Sequence, residues 1–319
     1  MHPDMRFIKE LGNGLTKKAF LYEKDGEKIT ILQAVGGSKE RWFRIQARQE
    51  SYITGMLPPM RCDIRRVRVN YLHGKWEIAA HYVEGQPLTK ELLDSLTPEQ
   101  QTQLADDFAE FLHTLHSLQA NKLAERYADE TDSHDLHYLL GYIMFRLYCL
   151  KKRFLSFKKS GKSPYITSRF AKTKAKIYSR CGFTPAEIAL VDQAHQVLNA
   201  HPEVFAQVGV CFGDLKPDNI LYDTRSSRMS AMDFCGPYRG CIYQEFMYIY
   251  AWLGKDFTQQ LISKYHTLSS RSAKPMQIDL AMVQHLLAIF LFTQIPKYPL
   301  HKATALNLLR ELYPDMPSA

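Results

Sequence analysis

The sequence predicts an α+β protein of two lobes, a small one built on a five-stranded antiparallel sheet with one helix and a larger one that is mainly helical. Three observations carry this prediction. The 319 residues are long for one domain and suffice for two lobes around one cleft. Short apolar runs alternate with turn signals up to Tyr82, the pattern of strands and hairpins. From Thr97 onward apolar residues recur at helical spacing instead.

The elements follow in order. Phe-Ile-Lys-Glu-Leu, Ala-Phe-Leu-Tyr and Ile-Thr-Ile-Leu-Gln-Ala-Val, separated by Gly-Asn-Gly and Lys-Asp-Gly, read as three antiparallel strands between Phe7 and Val35. Glu40 to Leu57 places Trp42, Ile45, Tyr52, Ile53 and Met56 at helical spacing and stops before Pro58 and Pro59, so a helix follows the third strand. Two more strands run from Arg65 to Tyr71 and from Lys75 to Tyr82, and Glu84-Gly85-Gln86-Pro87 forms a polar link. Thr97-Pro98-Glu99-Gln100 opens a helix with an N-cap threonine, proline at its first position and acid in its first turn; Leu104, Phe108, Leu112 and Leu115 continue its apolar face. The lobes are expected at 1–83 and 84–319, with a basic helical insert at about 121–200.

Composition bounds the class. The apolar fraction of 45% and charged fraction of 23% are those of a globular protein, and no apolar run has the length of a membrane span. Leu280 to Ile295 is interrupted by Gln284, His285 and Gln294 and reads as a buried helix. The N-terminus lacks the apolar core of a secretory signal, so a cytoplasmic location is expected. Six cysteines, Cys62, Cys149, Cys181, Cys211, Cys235 and Cys241, show neither CxxC spacing nor a disulfide framework. His113 and His116, and likewise His134 and His137, are three apart on helical patterns but have no third ligand at metal-site spacing.

The residues that carry chemistry are Phe-Gly-Asp-Leu-Lys-Pro-Asp-Asn at 212–219 and Asp233, 14 positions beyond Asn219 in Met-Asp-Phe-Cys-Gly. As an ordered set they resemble the kinase catalytic loop, in which an Asp faces the acceptor hydroxyl and an Asn and a later Asp hold magnesium. Phosphoryl transfer needs such a set because the nucleotide phosphates carry several negative charges that cations must neutralise while one carboxylate aligns the attacking oxygen.

From about Phe7 to about Leu261 the chain resembles the aminoglycoside phosphotransferase and choline kinase-like family, relatives of the protein kinases. The likeness is strongest at Tyr82 to Leu88, at Phe111 to His116, at Gly213 to Leu221 and at Met232-Asp233-Phe234. The resemblance implies a protein kinase-like fold and transfer of the γ-phosphate of ATP, with Mg2+, to a hydroxyl of a small molecule. It implies that Asp214 orients or deprotonates that hydroxyl and that Asn219 and Asp233 bind the metal; Lys216 is the second candidate catalytic residue, the one that contacts the transferred phosphate if the chain is read as a protein kinase. Backbone groups near His81, Tyr82 and Val83 are implied to pair with adenine. Glu245 falls where the family has an Asp that precedes a helix and supports the catalytic loop. The words Asp-Leu-Lys-Pro-Asp-Asn also belong to serine/threonine protein kinases, but only 11 residues separate Asp233 from Glu245, too few for a peptide-binding activation segment, and no Ala-Pro-Glu follows. More than 90 residues between His116 and the catalytic loop supply extra helices where the family places its small-molecule pocket.

The chain departs from the family pattern. Gly12-Asn13-Gly14 is expected to cover the phosphates with backbone amides. On the third strand, however, Gln33 aligns with the lysine that reaches the phosphates, and glutamine has no charge to offer. Glu50, the helix residue that pairs with that lysine, is left to Arg48, Lys28 or solvent, and Lys9, Lys17, Lys18 and Lys28 are candidates for the missing cation. Phe212 replaces a structural histidine and changes packing more than chemistry. Retaining Asp214, Asn219 and Asp233 without the lysine points to rearranged nucleotide binding.

Residues 151–180 carry 11 lysines and arginines with no acid, interleaved with Phe154, Phe157, Tyr165, Phe170 and Tyr178. As a functional surface this segment favours an anionic acceptor; as a structural one it is a solvated helix face whose aromatics pack inward. Asp129, Glu130, Asp132 and Asp135 just upstream could instead serve a cationic acceptor. Nucleic acid is disfavoured as a partner, though the basic segment leaves it open. The alternatives to a small-molecule kinase are a serine/threonine protein kinase and a catalytically weak pseudokinase that holds an acidic partner.

Overall fold

The computed structural model describes residues 4–13, 17–35, 43, 47, 50–72, 75–118, 165–234, 238–269 and 278–315. By contacts the chain divides into two compact units, Met1–Cys149 with Val210–Arg239, and Leu150–Gly209 with Gly240–Ala319.

In the first unit, strands β1 (Arg6–Asn13), β2 (Lys17–Lys24), β3 (Glu27–Ala34), β4 (Asp63–Ile64), β5 (Val67–Leu72) and β6 (Lys75–His81) follow one another. All but β4 form one sheet in the order β1-β2-β3-β6-β5, antiparallel throughout. The β2–β3 turn is Asp25-Gly26, both at positive φ (52° and 82°), the conformation a two-residue hairpin with the native twist demands. One sheet face carries Leu32, Val67, Ile78 and Ala80, with Ala19 and Ala34, and packs on Phe43 and Ala47. These two residues and 50–56 are helical (helix α1), and the helix ends at Leu57 ahead of the proline pair, as the sequence predicts.

Strands β7 (Gln86–Pro87), β8 (Val208–Cys211), β9 (Ile220–Asp223) and β10 (Arg228–Ala231) come next. A second sheet has the order β4-β10-β9-β7, with β4 parallel to β10. The segment expected as a polar link is thus pinned: Gln86 and Pro87 pair with Tyr222 and Leu221. The partner lies far away in sequence, so no local pattern announces it. Helix α2 (Lys90–Ser95) precedes α3 (Pro98–Ser117), whose Thr97 and Gln100 form a reciprocal capping box. Its apolar face, Leu104, Phe108, Leu112 and Leu115, is fully buried.

The second unit contains α4 (Tyr165–Arg180), α5 (Pro185–Ala200), α6 (Tyr243–Leu253), α7 (Lys255–Leu268), α8 (Leu280–Gln294) and α9 (His301–Leu312). Helix α8 is buried as expected, and two of the polar residues that interrupt its apolar run, Gln284 and His285, have partners within the protein. Gln284 Nε2 donates to Tyr250 Oη at 2.7 Å. His285 lies 2.5 Å from the Ala281 carbonyl and 2.6 Å from Tyr313 Oη. In the basic segment Phe170 is fully buried against His195 and Phe292, and Tyr178 donates its hydroxyl to Asp192. Both aromatics therefore serve the core, while Lys172, Lys176 and Arg180 remain exposed. Residues 119–164, with Phe154, Phe157 and the acidic cluster at 129–135, lie outside the described residues, as does the side chain of Tyr165.

Cys62, Cys211 and Cys241 are buried; burial holds the Cys62 thiol well above its ordinary pKa and pushes Cys241 up to about 12. They are packing residues and not nucleophiles. No helix among the described residues is long and apolar enough to cross a membrane.

Candidate active site

Strand β8 runs into a loop that starts at Phe212 and Gly213, the latter at φ 88°. Phe212 is fully buried, with its ring 4.6 Å from Phe234 and 6.1 Å from Phe111 of α3. This aromatic cluster holds the two ends of the site together by packing, consistent with reading Phe212 as a change of packing and not of chemistry. Asp214 follows, with its side chain 47% exposed. A short 3-10 turn, Pro217–Asn219, then returns the chain into β9.

Asn219 is 3% exposed and donates its Nδ2 to the Asp214 carbonyl at 2.8 Å and to Asp214 Oδ2 at 3.2 Å. Lys216 Nζ lies 2.9 Å from the same Oδ2. Partial burial alone lowers the Lys216 pKa, but the hydrogen bond and charge of Asp214, with Asp233 and Asp218 nearby, more than offset it and leave the ammonium above its ordinary value. The Asp214 carboxylate is thereby held in one orientation while remaining open to solvent.

The Asn219 carbonyl accepts from the Met232 N–H at 2.9 Å, which ties the loop to the next residue, Asp233. Asp233 has φ 65°, a left-handed backbone uncommon outside glycine. Such strain persists where surrounding contacts over-determine it. Here the Asp233 N–H donates to Glu50 Oε1 of α1 at 3.1 Å, and its Oδ1 is ion-paired with Lys17 Nζ of β2.

Glu50 is fully buried, and among the described residues its partner is not one expected from sequence. Lys28 pairs with Glu84 at 2.7 Å, Arg48 lies outside the described residues, and solvent does not reach the carboxylate. Arg65, at the entry to β5, supplies Nη2 to Glu50 Oε1 at 2.8 Å. Its backbone N–H also reaches the Ala231 carbonyl at 3.0 Å. Nothing in local periodicity marks Arg65, which stands beside Arg66 between Ile64 and Val67. Among the described residues Glu50 Oε2 is buried with no hydrogen-bond partner.

Gln33 stands opposite Lys18 on β2 and Glu77 on β6, and its Nε2 donates to Glu77 Oε1 at 2.5 Å. Because strand residues alternate, that is the sheet face away from Phe43 and Ala47; the β3 residues facing the helix are Leu32 and Ala34. At the other end of β6, Tyr82 donates its N–H to the Lys28 carbonyl at 3.0 Å, and His81 lies 3.5 Å from Asp63, whose carboxyl His81 holds below the usual range. Gly12 and Asn13 end β1, and Gly14 lies outside the described residues. A side chain at Gly12 would meet nothing within 4 Å, so packing inside the chain does not require its glycine. Glu245 is buried in the first turn of α6.

The donor chemistry fits magnesium. With its amide nitrogen committed to Asp214, Asn219 has only its oxygen to offer a cation, and Asp233 offers a carboxylate. Two hard oxygen ligands suit Mg2+, which completes its shell with water and phosphate. Among the described residues no group of three His, Cys, Asp or Glu forms an all-protein metal cage.

A carboxylate held open to solvent, oxygen ligands a few residues away, and cations drawn in by several acids describe a site that can gather polyphosphate beside a hydroxyl. On a five-stranded antiparallel sheet with a helix glutamate reaching the second aspartate, this is the kinase-like class of phosphotransferase. The description of the phosphotransferase enzyme family, APH, matches residues 65–268, and the chain belongs to that family. None of the curated proteins compared with the sequence matches it. Among solved structures, the GDP complex of wild-type aminoglycoside 2'-phosphotransferase-IIIa superposes with a TM-score of 0.63 at 16% identity, covering 97% of this chain and 94% of that one. Macrolide 2'-phosphotransferase MphH from Brachybacterium faecium, as apoenzyme, gives 0.58 at 11% identity over 99% and 92%. The ADP-bound aminoglycoside phosphotransferase APH(2'')-Ib gives 0.57 at 15% identity over 96% and 93%. At these identities the likeness shows a shared fold.

Proposed function

We propose that this protein transfers the γ-phosphate of ATP to a hydroxyl group of a small molecule, with Asp214 as the base. The observation that carries the reading is the solvent-open Asp214 carboxylate, held on one oxygen by Asn219 and Lys216 beside Asp233. Family membership and the nucleotide complexes among the structural neighbours support nucleotide as the donor. In this reading residues 1–83 hold the nucleotide and 84–319 carry the catalytic loop and the acceptor.

Asp214 accepts a hydrogen bond from the acceptor hydroxyl and aims its oxygen at the γ-phosphorus. As the new O–P bond forms and the bond to the bridging oxygen breaks, the hydroxyl proton passes to Asp214 and ADP leaves. Lys216 stays protonated and stabilises charge on the moving phosphoryl group. Asn219 and Asp233 would hold magnesium, whose positive charge would offset the negative charge of the phosphates. The short stretch from Asp233 to α6, which includes a strand at Tyr238–Cys241, has no length for a peptide-binding segment and favours a small acceptor over a protein. The exposed Lys172, Lys176 and Arg180 are compatible with an anionic acceptor.

The test is transfer of labelled γ-phosphate from ATP and Mg2+ to a fractionated metabolite extract, with small molecules separated from protein. Label on a small molecule that falls about 10²- to 10⁴-fold in Asp214→Asn is expected. Label on protein alone would move the assignment to a protein kinase, and no transfer with no nucleotide binding would leave a pseudokinase.

A further inference from the structure

In kinases one lysine on the third strand does two things: it pairs with the helix glutamate and it contacts the nucleotide phosphates. Here the first task belongs to Arg65, whose guanidinium holds buried Glu50. The second falls to another strand. Lys17 and Ala34 are directly opposite in the β2–β3 ladder, so their side chains share a face. That face is the one Ala34 and Leu32 turn toward Phe43 and Ala47. The Lys17 ammonium reaches Asp233 Oδ1 with both side chains largely enclosed, at 16% and 20% exposure. Of the other candidate cations, Lys28 is committed to Glu84, Lys18 points to the opposite face beside Gln33, and Lys9 is exposed.

We propose that Lys17 is the phosphate-binding cation of this phosphotransferase, moved one strand sideways from β3 to β2 at the same register. Without nucleotide its ammonium neutralises Asp233; with nucleotide present the ammonium would contact the phosphate oxygens and leave the Asp233 carboxylate to hold a metal ion. The lysine side chain extends three carbons and an ammonium nitrogen beyond the Cβ of its cross-strand alanine, which makes the sideways move possible, since directly paired Cβ atoms lie only about 4.5–5.5 Å apart. This inference rests on the proposed kinase reading.

The experiment is titration of the full-length protein with ADP and with a non-hydrolysable ATP analogue in the presence of Mg2+, followed by calorimetry, with thermal melting to confirm folding. Lys17→Met, which keeps the side-chain stem, is expected to bind the ATP analogue about 10- to 100-fold more weakly, the worth of a charged hydrogen bond. Lys18→Met is expected to bind as wild type. Returning the charge to β3 in Lys17→Met with Ala34→Lys should restore most of the affinity, whereas Lys17→Met with Gln33→Lys should not, because position 33 faces the other way. Wild-type affinity in folded Lys17→Met, or equal rescue from positions 33 and 34, overturns the assignment of Lys17 alone. Absence of Mg-dependent binding in the wild type overturns the kinase reading and this inference with it.

Discussion

Replacing Arg65 by methionine should damage the fold and the site together, by an amount the structure sets. The Glu50 carboxylate is fully buried, and its Oε1 is shared between Arg65 Nη2 at 2.8 Å and the Asp233 N–H at 3.1 Å. Without the guanidinium the carboxylate keeps its burial and loses its countercharge, a change that costs about 3–5 kcal/mol. For a unit of this size each kcal/mol moves the midpoint about 2–4 °C, so Arg65→Met is expected to melt roughly 6–20 °C below wild type. Glu50→Leu combined with Arg65→Met removes the stranded charge and should recover about half of the loss, the remainder being the Asp233 N–H left without an acceptor at about 1–3 kcal/mol. Nucleotide binding should not recover with it, because Asp233 at φ 65° has lost the contact that ties its backbone to α1. Thermal melts of wild type, both singles and the double form a cycle that isolates the coupling. A midpoint for Arg65→Met within about 2 °C of wild type, or a double variant no more stable than that single, would refute the argument.

The remaining predictions concern acid stability and a backbone approach. Burial holds the His285 and His266 imidazoles below the ordinary 6.5. The Ala281 carbonyl can only accept, so the His285 proton sits on Nδ1 and Nε2 accepts the Tyr313 hydroxyl, a neutral ring with both nitrogens satisfied. Because both folded pKa values are depressed, the unfolded chain binds more protons below pH 6.5, and stability must fall as pH drops from there toward the folded values. His285→Gln should shallow that acid slope by up to about 1.4 kcal/mol per pH unit in denaturant titrations, and an unchanged slope would count against a buried neutral ring. Gly85 has φ 128°, and a Cβ there would lie 3.0 Å from the Tyr222 carbonyl carbon. Gly85→Ala should therefore lower stability by about 1–3 kcal/mol by prying β7 from β9, and a neutral melt would show that the backbone can yield.

Much of this organisation is legible in the chain because it is written in local pattern. Alternation marked β1 to β3 and both later strands; the Thr97 cap and proline marked α3; and the ordered Asp214, Asn219 and Asp233 marked the loop and the end of the hairpin that follows it, because their order and spacing are properties of the chain itself. The missing lysine was legible too, but its consequence was not. Residue 33 is adjacent in sequence to the position that faces α1, and a one-residue offset on a strand reverses the face, so only the register with β2 and β6 shows where Gln33 points.

Residue order alone determined the class of fold, the ordered spacing of Asp214, Asn219 and Asp233 and the absence of a lysine at Gln33 on β3. Tertiary structure alone decided which groups meet: Arg65 on Glu50, Lys17 on Asp233, Gln86 and Pro87 against β9, Phe170 in the core and Tyr178 on Asp192. The physical reason is range. Propensity, capping and alternation act over a few residues and leave a mark in sequence, whereas an ion pair between strands depends on register, facing and burial, which exist only once the distant segments have met.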